Sequence, residues 1–81
     1  MPSYLERRRD QQDDHEARRL RDEHGRRGWL LSWYRRDDGW NARLSCPDDP
    51  DTHEHQGPTR AEAIRSVVEA LSAALAGIHR G

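Results

Sequence analysis

The chain has 81 residues, of which 36% are charged and 32% hydrophobic, so it bounds a single small domain with one two-layer core and leaves part of the chain solvated. Its one cysteine, Cys46, excludes an internal disulfide framework, and the N-terminal MPSYLERRRDQQDD has no apolar run behind its charges, so a soluble protein of the reducing cytoplasm is expected, with no export signal and no membrane span. Net charge is only −1, but residues 1–36 carry ten Arg against seven acids while residues 37–59 carry one Arg against six acids, which predicts a dipolar surface able to steer a charged partner.

All 14 basic residues are Arg. GC-rich codon usage explains this bias most simply, and selection for bidentate recognition of phosphate or carboxylate is the functional alternative.

From Tyr4 to His24 the composition favours helix: there is no Gly or Pro, and Arg, Glu, Gln and Leu are frequent. Its apolar stripe is thin, consisting of Tyr4, Leu5, Ala17 and Leu20. A helix polar nearly all round gains little from packing and is expected to order against a partner. Gly25 and Gly28 end it, so residues 1–27 are read as a charged, partly helical arm and residues 28–81 as the folded domain.

Trp29, Leu31 and Trp33 then alternate with Leu30, Ser32 and Tyr34, the period of a strand with one buried face. Asp38-Gly39 predicts a hairpin with the glycine at a central turn position of positive φ. On the returning strand Trp40, Ala42 and Leu44 alternate with Asn41, Arg43 and Ser45. Pro47 and Pro50 frame an acidic loop, CPDDPD, through which no regular central strand can run. Thr52–Gln56 is long enough for a short, polar third strand at the sheet edge.

Thr59 followed by Glu62 forms a capping-box signature that starts a helix near Arg60. Ile64, Val67, Val68, Leu71, Leu75 and Ile78 fall on one stripe, with Ala63, Ala70 and Ala74 small enough for a sheet to approach. This helix is predicted to cover the tryptophan face of the hairpin. The fold class is therefore α+β: an antiparallel two- or three-stranded sheet packed on a C-terminal helix and preceded by a charged N-terminal helix, in the order α-β-β-(β)-α. In a domain this small, conformational entropy offsets most of the gain from burial, so marginal stability and a dimer or complex are expected.

The Asp38-Gly39-Trp40 turn, Pro47 after the second strand, and the string QGPTRAEAIRSVVEAL, with Gly57, Thr59, Glu62, Ala63, Glu69, Ala70 and Leu71, resemble HicB-like antitoxins over about residues 28–77. The resemblance implies a strand-strand-strand-helix module that inhibits a small ribonuclease toxin by packing against it, often with a separate DNA-binding segment. Here no such segment is expected after the helix, and a charged arm precedes the hairpin. The element order also looks like a double-stranded RNA-binding domain, although only Arg60 and Arg65 stand where that family's basic second helix would meet phosphates.

The arm's arginines, among them Arg18, Arg19, Arg26 and Arg27, are candidates for phosphate contact, but seven interleaved acids favour a solvated helix of intrahelical pairs. Tyr34, Arg35, Arg36 and Arg43 are further contact candidates, with Tyr34, Arg35 and Arg43 placed on the face opposite the tryptophans. His53 and His55 beside Cys46 and the aspartates match no established zinc spacing and read as edge-strand residues. Cys46 lacks any signature of an oxyanion hole, and the tryptophans serve packing better than base stacking. No catalytic, cofactor or metal residues are assigned, and no small-molecule substrate is evident. The expected function is a small non-enzymatic regulatory protein, antitoxin-like, that binds a protein partner or itself through the sheet edge and open sheet face; the alternative is a nucleic-acid binder using the arm and the polar face.

Overall fold

A computed structural model describes the backbone of residues 4–80 and the side chains of residues 5–77. The elements run α1 (Tyr4–Gly25), β1 (Leu30–Arg36), β2 (Gly39–Cys46), β3 (Asp49–Gly57) and α2 (Arg60–Arg80), an α+β fold in the order α-β-β-β-α. The strands form one antiparallel meander, β1-β2-β3. α2 packs on β2 and β3, and α1 packs beside it on α2 and β1, so both helices share one face of the sheet.

The alternation read from the sequence sets this packing. Trp29, Leu31, Ala42, Leu44 and Cys46 are buried with Ala63, Ile64, Val67 and Leu71 of α2, while Trp33, Trp40, Val68 and Leu75 are partly buried around them. α1 contributes Ala17, which is fully buried, and Leu20; Leu5 stays 63% exposed. The side chains of Tyr4 and Ile78, assigned to the apolar stripes, lie outside the described residues.

Two turns differ from the sequence expectation. Arg36 pairs with Gly39, so the central residues of the first hairpin are Asp37 and Asp38, and Gly39 opens β2 instead of sitting in the turn. Both aspartates keep negative φ, whereas Gly39 has φ 147°. A Cβ on Gly39 would lie 2.6 Å from the Gly57 carbonyl oxygen, so the position needs glycine because β3 crosses beside it.

The second difference is the length of β3. Cys46 pairs with Asp49, which leaves Pro47-Asp48 as a tight turn and extends β3 to Asp49–Gly57 in place of 52–56. Pro50 therefore lies within a strand. It is tolerated because β3 is an outer strand of the sheet, where a missing amide donor need not break the ladder. A register shift between Leu44 and Cys46 absorbs the change of direction into the turn.

Candidate interaction surface

The face of the sheet away from the helices carries Leu30, Ser32, Tyr34 and Arg36 from β1, Asn41, Arg43 and Ser45 from β2, and Thr52, Glu54 and Gln56 from β3. Pairing fixes its geometry, since opposite residues share a face: Leu30 faces Ser45, Ser32 faces Arg43, Tyr34 faces Asn41 and Arg43 faces Glu54. At its centre the Asn41 amide donates to the Tyr34 hydroxyl at 2.8 Å and to the Glu54 carboxylate, which also accepts from the Tyr34 hydroxyl. Asn41 is thereby covered, although it lies on the open face. Leu30, 74% exposed, has no such cover.

Arg35 is not on this face. It pairs with Trp40 and alternates with Tyr34, so it lies on the helix side at the far end of β1, which corrects the sequence reading that placed it with Tyr34 and Arg43. The correction follows from strand period alone, because consecutive residues point opposite ways. Arg36 is on the open face, beside the first turn. Seven residues of β1 span roughly 20 Å, so Arg35 and Arg36 are separated by about that distance from the α1–β1 connection that carries Arg26 and Arg27.

The arm's arginines divide by their partners. Arg18 pairs with Asp14 at 3.0 Å, and Arg19 lies 3.8 Å from Glu16, a carboxylate that also meets Arg65 of α2. Arg21 stacks over Trp33 at 5.3 Å and Arg27 over Trp29 at 5.2 Å. Arg26 and Arg43 are exposed and make no ion pair among the described residues. The pairs of Arg18 and Arg19 match the reading of a solvated helix crossed by intrahelical contacts.

Around the start of β1 lies an open hollow of about 810 Å3 that wraps the strand, lined by Trp29 and Leu31 on the helix side, by Leu30 and Arg43 on the open side, and by Arg21 and Arg26. The sequence signals for it were present but dispersed: a leucine among polar residues on the outward period of β1, and arginines from two elements that only folding brings together.

On the helix side, Arg60 is the most heavily partnered cation among the described residues. Its guanidinium stacks over Trp40 at 3.9 Å and meets Asp10 at 3.1 Å and Asp13 at 3.3 Å, with Asp14 3.8 Å away. The Asp13 carboxylate also accepts the backbone amides of Arg60 and Ala61, and the Thr59 hydroxyl accepts that of Glu62 at 3.2 Å. The N-terminus of α2, a natural anion site, is thus already occupied by carboxylate and hydroxyl oxygens from this chain.

His53 and His55 lie opposite Leu44 and Ala42, both towards the helix side. The His53 ring is 2.9 Å from Asp49, whose other oxygen accepts the Asp51 amide at 2.9 Å. The His53 hydrogen bond, and then the Asp51 amide, hold the Asp49 carboxyl below its usual range. Cys46 is buried in the core. Among the described residues no three His, Cys, Asp or Glu side chains converge as metal ligands. His24 stacks on Trp29 with centroids 5.4 Å apart, and its Nδ1 is buried without a partner. Burial, reinforced by the Arg27 charge, pushes its pKa down.

No described helix is long and apolar enough to cross a membrane. Comparison with protein-family models, curated proteins and solved structures finds no match to this chain.

Proposed function

We propose that this chain is a small, non-enzymatic interaction module of the cytoplasm that binds a protein partner, or a second copy of itself, through the open face and edge of its sheet. The observation that carries the reading is Leu30, a large apolar side chain left 74% exposed on a face that no described helix covers, where it lines an open hollow. Burying such a side chain contributes about 1.5–3 kcal/mol, an incentive for association that the isolated chain leaves unused. Nothing in the reading requires a catalytic group: Cys46 serves packing, and the Asp49–His53 pair ties down the start of β3.

An antitoxin-like role, suggested by the resemblance of residues 28–77 to HicB-like proteins, is the regulatory form this binding would take. The nucleic-acid alternative is less favoured because Arg18, Arg19, Arg60 and Arg65 are engaged by acids of the same chain.

Light scattering of the purified chain, alone and with the products of adjacent genes, tests the proposal against electrophoretic shifts of labelled DNA and RNA at low and high salt. A dimer or a stoichiometric protein complex that Leu30→Asp disrupts supports it. A nucleic-acid shift that weakens steeply with salt, with no protein association, overturns it.

A further inference from the structure

Beside the hollow at the start of β1 lies a second one, of about 360 Å3, between α1 and β1. The two share Arg21, Leu31 and Ser32, so together they form a trough along β1, the outer strand that faces α1. Four guanidinium groups border it, from Arg18, Arg21, Arg26 and Arg43, against two carboxylates, from Asp14 and Asp22. Asp14 is already paired with Arg18. The trough therefore combines three features: a strand with one side unpaired, apolar side chains among its lining, and a net positive border.

Resting on the protein-partner reading above, we infer that the occupant is an extended segment of a separate partner protein, with acidic and apolar residues alternating, that adds to the sheet alongside β1. An added strand points alternate side chains to opposite faces. Its acidic set would face α1, where Arg21 and Arg26 stand, and its apolar set would lie on the open side against Leu30.

The same charges argue against two other occupants. Pairing β1 with the β1 of a second copy would bring the two sets of arginines together at the shared edge. A nucleic-acid backbone would meet Asp14 and Asp22 among the arginines and would leave the exposed Leu30 without a matching group.

Fluorescence anisotropy with a labelled peptide of alternating glutamate and valine tests the inference on the intact chain. The peptide should bind, weaken as salt rises, and lose at least about tenfold in affinity to Arg26→Glu, a reversal at an exposed residue without an ion pair. The same peptide N-methylated at alternate residues, made in both phases, should lose binding in the phase that removes the amides facing β1. This second measurement leaves the protein unaltered. Absence of binding, equal binding of a lysine–valine peptide or a single-stranded oligonucleotide, or indifference to N-methylation in both phases overturns the inference. If peptide binding is absent while Leu30→Asp still disrupts a protein complex, this inference alone falls. If Leu30→Asp also changes nothing, the interaction reading falls with it.

Discussion

The Asp13 carboxylate of α1 accepts the backbone amide of Arg60, the first residue of α2, at 2.9 Å, and its other oxygen accepts that of Ala61 at 3.0 Å. One helix thus caps the other across 47 residues of sequence. The cap also carries charge, because the same carboxylate lies 3.3 Å from the Arg60 guanidinium, which is itself stacked on Trp40. Fastening α1 in this way holds Arg21, and Arg26 just past the helix end, beside β1, so the shape of the proposed trough depends on a contact made at the middle of the helix.

Asp13→Ala should therefore destabilise the fold by about 1–3 kcal/mol, combining a lost cap with an ion pair broken at a largely buried arginine. Asp13→Asn, which keeps an acceptor for one amide, should lie between wild type and alanine. Urea unfolding followed by circular dichroism reads both. Equal midpoints for all three proteins would show that the cap contributes nothing.

Gly39→Ala should cost roughly 1–3 kcal/mol, because Gly39 holds φ 147° and its new Cβ would lie 2.6 Å from the Gly57 carbonyl oxygen. Asp38→Ala, in the turn itself and with an ordinary negative φ, should cost much less. The pair of thermal midpoints distinguishes the observed turn from one centred on Asp38-Gly39, for which the two costs would be comparable.

Acid should weaken the protein in two separate windows. His24 has a folded pKa below its ordinary 6.5, chiefly through burial, so the unfolded chain takes up the proton more readily. Its contribution is complete above pH 6.5 and is lost as pH falls from there through the lower folded value. Asp49, held below 3.8 by His53 and the Asp51 amide, contributes above 3.8, and that contribution disappears as pH falls further through its folded value. Urea midpoints measured against pH should show the upper step flattened in His24→Gln and the lower step flattened in Asp49→Asn. An upper step unchanged by the His24 substitution would assign it to another group.

Leu30→Asp should leave the unfolding midpoint within about 0.5 kcal/mol of wild type, since the side chain is mostly exposed, while removing association with a partner. Leu44→Ala, at a fully buried position opposite His53 in the same sheet, should cost about 2–5 kcal/mol. Denaturation and light scattering on the two variants separate a residue kept for binding from one kept for packing.

The signals legible along the chain were local and periodic. Alternation along 29–34 and 40–45 defined the buried side of the hairpin, and the Thr59 cap with the stripe from Ile64 to Leu75 defined α2 and its packed face, because these signals arise within a turn or two of backbone. Strand period also places Arg35 away from Tyr34. The position of the first turn depended on tertiary structure: Gly39 is required where β3 passes its backbone, so the Asp-Gly pair sits one residue later than a primed turn would place it. The extension of β3 through Pro50 likewise depended on that strand lying at the sheet's outside. The seating of α1 was decided in the same way. Ala17 and Leu20 make too thin a stripe to announce a packed helix, and the acids that hold it, Asp10, Asp13 and Asp14, read along the chain as surface charge. They become a cap and an ion-pair cluster only when folding brings Arg60 to them, a pairing between distant residues that no local pattern encodes.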